Sequence, residues 1–136
     1  MRGLRKEQSM KKVLSLCLAV LLCAALCGCQ RKISLPAVKE IASIQVETTD
    51  GRAITLTQES EKAQLMDLLS TGVSTGRQSV QDQPLVTPYG TILLENQGGV
   101  TTLYYYQERG ATLIEQPYTG IFRLKGLVEP LLSPEE

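Results

Sequence analysis

TTLYYYQERGATLIE, residues 101–115, decides the fold. β-Branched and aromatic residues fill Thr101–Gln107 and Ala111–Glu115, and Glu108-Arg109-Gly110 between them reads as a tight turn. Alternation along the first run puts Leu103 and Tyr105 on one face and Thr102, Tyr104 and Tyr106 on the other. One of those faces has to cover a helix, so part of the tyrosine set is expected at the surface.

Toward the N-terminus, Thr91–Glu95 reads as a third strand, joined through Asn96-Gln97-Gly98-Gly99 into an antiparallel meander. Residues 73–90, VSTGRQSVQDQPLVTPYG, follow neither the strand nor the helix period and read as a long loop, a class of segment enriched in function. Before it, Leu65, Met66, Leu68 and Leu69 mark the apolar stripe of a helix, with Thr57 as N-cap, Glu59 and Glu61 in the first turn and Gly72 as the stop. Ile41–Glu47 and Ala53–Thr57 form a hairpin around Asp50-Gly51, with Ala42, Ile44 and Val46 inward on the first strand and Ile54 and Leu56 on the second. After the turn Pro117-Tyr118-Thr119-Gly120 comes a further short strand, Ile121–Leu124. A last apolar set, Leu127, Val128, Leu131 and Leu132, fits a helix beginning near Gly126. The expected architecture is α+β: a small antiparallel sheet of about five strands (hairpin, helix, then meander) on one main helix, with a short C-terminal helix. It occupies residues 40–133 as one domain, with 134–136 a loose tail.

The 136 residues balance 14 Lys+Arg against 14 Asp+Glu, but unevenly. Arg2, Arg5, Lys6, Lys11 and Lys12 face only Glu7 in the first twelve residues, so the body is mildly acidic and carries no basic stripe for nucleic acid. Histidine is absent and the four cysteines all lie between Cys17 and Cys29. Without His or Cys in the body, His-based triads, Cys-His dyads, dithiol redox chemistry and Cys/His zinc sites are excluded there. No metal or other cofactor is expected.

The basic start is followed by VLSLCLAVLLCAAL, residues 13–26, an uncharged run too short for an ordinary spanning helix and fit for a signal peptide. Leu26-Cys27-Gly28-Cys29 resembles the lipobox of bacterial lipoproteins, although Cys27 stands where Ala or Ser is usual. The resemblance implies cleavage between Gly28 and Cys29 and a diacylglycerol on the Cys29 thiol. The chain then divides into a signal peptide (1–28), a lipidated cysteine with a tether (29–39) and the domain, held at the outer face of the cytoplasmic membrane. Two acyl chains anchor stably where a single one binds reversibly.

Ser79-Val80-Gln81-Asp82-Gln83-Pro84 and YYYQERGATLIEQPYTGIF, residues 104–122, are similar to a family of small lipoproteins of Gram-positive (Firmicute) bacteria whose C-terminal domain has no known function. The similarity spans roughly residues 40–132. It implies an extracytoplasmic location and a site where the two motifs meet, and it brings no catalytic residue.

Asp82, Glu95 and Glu115 adjoin these motifs and are the carboxylates to weigh for paired acid/base work, which needs about 5 to 9.5 Å between them. Ser79 as a nucleophile would need a lysine or carboxylate partner, and Lys39, Lys62 and Lys125 all stand in sequence contexts that read as solvated. A turn role for Ser79 and Asp82 is the simpler reading. Tyr104, Tyr105, Tyr106 and Tyr118 offer large rigid faces with a hydroxyl, good contact material as well as good strand material. The expectation is therefore a binding or interaction module without catalytic residues, anchored in the membrane through Cys29. Ser79, Asp82, Tyr104, Tyr105, Tyr106, Glu115, Pro117 and Tyr118 would meet a protein, a peptide or an envelope component. A structural or regulatory accessory of a membrane protein is the alternative, and a histidine-free carboxylate hydrolase the third.

Overall fold

The structure, a computed structural model, describes residues 2–26 and 32–132, with side chains for 5–22 and 32–132. Gly28 and Cys29, the expected cleavage and lipidation residues, and the tail 134–136 lie outside the described residues. The chain divides into two units, residues 1–30 and 31–136. In the first, α1 (Arg2–Leu26) exposes Val13, Leu14, Leu16, Leu18, Val20, Leu21 and Leu22. Among the described residues no helix is long and apolar enough to cross a membrane.

The second unit is a mixed α+β domain built on one antiparallel sheet. Its strands are β1 (Ile41–Glu47), β2 (Ala53–Leu56), β3 (Val73–Ser74), β4 (Gly90–Asn96), β5 (Gly99–Glu108), β6 (Ala111–Gln116) and β7 (Gly120–Arg123), with α2 (Glu59–Ser70) between β2 and β3. Their order across the sheet is β2-β1-β4-β5-β6-β7-β3. The sheet thus has seven strands rather than five. β7 joins the meander, and β3, a two-residue strand inside the segment read as loop, closes the edge by pairing Val73 with Arg123 and Ser74 with Phe122. A strand that short leaves no periodicity in the sequence.

This order explains the long loop. From β2 at one edge, α2 carries the chain across one face to β3 at the other edge. Residues 75–89 then return over the opposite face to β4, a transit of about 19 Å at 4.8 Å per strand. The helix side holds the main core: Ile44, Val46, Ile92, Leu94, Leu103, Tyr105, Ile114 and Phe122 from the sheet meet Leu65, Met66 and Leu69 of α2. A smaller cluster on the loop side packs Val86 and Tyr89 on Tyr106, Leu113 and Ile121.

Local details depart from the sequence reading for identifiable reasons. The Asp50-Gly51 hairpin forms as expected: Gly51 takes φ 86° and donates its N–H to Thr48, while Thr48 donates to Arg52. Helix α2 starts one residue later than a Thr57 cap would place it, behind Gln58, whose side chain makes no capping hydrogen bond. Gly72 does follow the helix, but through tight packing: a Cβ there would lie 3.1 Å from the Leu69 carbonyl and 3.3 Å from Phe122 Cβ. The C-terminal apolar set forms only a 3₁₀ turn, Glu129–Leu132, instead of a helix from Gly126. The segment 29–39, read as a tether, belongs to the domain from Lys32 onward. Lys32 bridges to Val73, Ile33 is buried, and Leu35 and Val38 pack on the core.

The first strand carries a bulge. Ile41 pairs with Asn96 and Ser43 with Glu95, so Ala42 is an extra residue that faces solvent while Ile41 turns inward. Lys62, read as solvated, is buried beneath this bulge, and its Nζ donates to the Ile41 carbonyl at 2.9 Å and to Glu59 Oε1 at 2.8 Å. Glu59 is largely exposed, so the ion pair itself adds little; the buried carbonyl bond matters more. Lys62→Met keeps the aliphatic stem and strands that carbonyl. We expect it to cost about 1–2 kcal/mol in urea unfolding, with an unchanged midpoint as the contrary result.

Candidate functional site

The loop-side face gathers most of the residues that the two sequence motifs singled out. Tyr104 lies opposite Glu115 and Tyr106 opposite Leu113 in the β5–β6 ladder, so alternation brings Tyr104, Tyr106, Leu113 and Glu115 to one face. Glu115 is a buried carboxylate. Ser79, itself buried in the returning loop, donates its hydroxyl to Glu115 Oε1 at 2.7 Å, and the Tyr106 hydroxyl donates to Oε2 at 3.2 Å. A buried carboxylate needs such donors to be tolerated. Burial, followed by the negative charge of Glu115, pushes the Tyr106 phenol up to about 12. Arg77, at the start of the same loop, donates to Glu108 Oε2 at 3.0 Å and adds a second tie to β5.

Beyond this buried pin lies an exposed pair. The Tyr118 hydroxyl donates to Asp82 Oδ1 at 2.5 Å, joining the β6–β7 turn to the loop. That bond raises the Tyr118 phenol above its ordinary value. Tyr118 sits in the left-handed region at φ 61°, after the half-buried Pro117, in a turn closed by the Thr119 N–H on the Gln116 carbonyl. A non-glycine residue there carries a backbone cost of about 1–2 kcal/mol, and such strain gathers at functional positions. Half-buried Tyr104 stands edge-on to Tyr89 at 5.4 Å between ring centroids. Its phenol is raised by burial first, then by Tyr89, Asp82 and Glu115, which places it within the field of both carboxylates.

The tyrosines therefore divide: Tyr106 is core on the loop side, Tyr105 is core on the helix side, Tyr104 is half-buried, and Tyr118, outside the run, is exposed. Neither Tyr105 nor Tyr106 presents a ring face at the loop-side surface. Ser79 is a pin to Glu115 instead of a turn residue, and Glu95 stands apart, accepting from Ser43 and Gln45 on the outer side of β1. The apolar surface around Asp82 was not anticipated: Val80 and Leu85 flank it in the loop at 66% and 81% exposure, beside Tyr118 at 69%. Their position in a loop without period was the one available signal. Among the described residues no three Asp, Glu, Cys or His side chains converge to hold a metal ion.

Comparison with known proteins agrees with this fold. No curated protein matches the chain. A solved structure is similar to it: an NMR structure of a protein from Ruminococcus gnavus, 34% identical, aligned over 74% of this chain and 99% of that one, with a TM-score of 0.66. Residues 29–123, from Cys29 through the last strand of the sheet, match the family model DUF5301, described as "Domain of unknown function (DUF5300)", and the chain belongs to that family.

Proposed function

We propose that this protein is a lipid-anchored binding module of the extracytoplasmic membrane face, and that it contacts a protein partner through the surface formed by residues 80–85 and the Tyr118 turn. The observation that carries the reading is a set of exposed apolar side chains, Val80 and Leu85 on a loop pinned from beneath by Ser79 and Glu115, and Tyr118 on the turn bonded to that loop through Asp82. Exposed apolar groups on a preorganised loop suit partner binding, because little ordering entropy remains to be lost on contact. The Ser79–Glu115 pair is closed off from solvent and braces the loop, so it adds nothing to a hydrolytic reading. Anchoring rests on Leu26-Cys27-Gly28-Cys29 and the diacylglycerol it calls for at Cys29.

A photocrosslinking residue placed at Leu85 in intact cells tests the surface, with the same residue at Val100 as control, since Val100 is equally apolar and 57% exposed. The expected result is a discrete adduct from position 85 that is absent from position 100 and lost on Tyr118→Asp. Equal labelling from both positions would overturn the assignment. Mass spectrometry of the mature N-terminus tests the anchor separately: a free Cys29 thiol rules it out.

A further inference from the structure

A pocket lies on the helix side of the sheet, away from loop 75–89. It is a cavity of about 450 Å³ between the β1–β2 turn and the C-terminal 3₁₀ turn, with Tyr105, Leu127, Val128 and Pro130 as apolar walls and Arg52 and Glu129 among its polar groups. The Glu129 carboxylate is held from one side only. The Thr49 hydroxyl at 2.6 Å, the Thr49 N–H at 3.3 Å and the Tyr105 hydroxyl at 3.4 Å all donate to Oε1. Its other oxygen, Oε2, accepts no hydrogen bond among the described residues, and no cation among them pairs with Glu129. Arg52 lines the same cavity, but its Nε is already bonded to both oxygens of Asp50, at 3.1 and 3.3 Å.

A carboxylate oriented by three donors, with one oxygen unused and apolar walls beside it, matches a particular ligand chemistry: a cation carried on an aliphatic stem. The cavity's size falls within the range of small-ligand sites. We propose that this pocket binds a lysine-like side chain of a peptide, its methylenes lying on Leu127 and Pro130 and its ammonium donating to Glu129 Oε2. The site does not depend on the loop surface described above, and either can fail without the other.

Titration of the full chain in phospholipid nanodiscs, with ¹³C-methyl leucine and valine, tests the proposal. The probes are Nα-acetyl-lysine amide and Nα-acetyl-norleucine amide, which share a stem and differ in the ammonium. The lysine probe is expected to give saturable shifts at the Leu127 and Val128 methyls, with an affinity about tenfold or more above that of the norleucine probe. Glu129→Gln keeps an acceptor for Thr49, as its unshifted core methyls would show, and brings the lysine probe down to the norleucine level. Equal affinities for the two probes, absence of saturable shifts, or a Glu129→Gln variant that binds like the parent would each overturn the assignment.

Discussion

Gly90→Ala is expected to lower the unfolding free energy by about 3 kcal/mol, since among the described glycines a Cβ at this one meets the closest contact. A Cβ at position 90 would fall 2.1 Å from Tyr105 Cε1 and 2.3 Å from its Cζ, because the two residues are paired across β4 and β5 and the ring lies over the glycine. A tyrosine at the surface would swing aside at little cost. This one is 3% exposed, is packed into the helix-side core and is bonded through its hydroxyl to Glu129, so it must leave the core or push β4 away from β5. Thermal and urea unfolding of Gly90→Ala, Tyr105→Ala and the double variant separate these costs. Each single change destabilises, and the double variant loses much less than their sum, because the second substitution removes the atoms the first collides with. Additive losses would show that the glycine serves something other than the ring.

Glu115→Ala is expected to cost about 3 kcal/mol or more, since it leaves two buried hydroxyls, on Ser79 and Tyr106, without their acceptor and opens a void beneath the loop. The loss should be unevenly distributed. Hydrogen exchange is expected to quicken first in residues 75–89, while amides of β4 and β5 stay protected up to global unfolding. Uniform loss of protection would mean that the loop and the sheet unfold as one and that Glu115 is no local pin. The same variant tests the electrostatics. Removing the negative charge lowers the Tyr106 phenol from about 12, visible as an earlier phenolate absorbance in alkaline titration. In the parent protein the folded phenol titrates near 12 and the unfolded one near its ordinary 10.0. The Tyr106 contribution to stability is therefore complete below pH 10 and is lost as pH rises through 12.

The sheet and the site were legible to different degrees, and the difference is physical. Turn chemistry and strong alternation are local signals, so the hairpin at Asp50-Gly51 and the β5–β6 pair could be read directly. Ala42, read as inward, faces solvent instead: a bulge adds one residue to one strand only, and its evidence is the register of a partner fifty positions away. Lys62 looked solvated because its neighbours in sequence are polar, whereas its actual partner is a carbonyl across the core. Ser79 and Glu115 could each be singled out, yet nothing in their spacing joins them; they meet because the loop must cross the sheet to reach β4. Alternation put Tyr105 and Tyr106 on opposite faces, but it could not say that both faces are covered.

The burial of Ile33 and the pairing of Lys32 with Val73 leave only Gln30 and Arg31 between Cys29 and the folded domain. Three peptide steps span at most about 11 Å, little more than the depth of the headgroup layer on one side of a bilayer. With acyl chains at Cys29, the β3 edge would ride against the phospholipid headgroups, and the domain could turn about its anchor but not reach outward. Encounters would then be confined to a thin sheet of space, where neighbours arrive by lateral diffusion. Effective concentration in that layer, more than intrinsic affinity, would select a partner embedded in the same membrane.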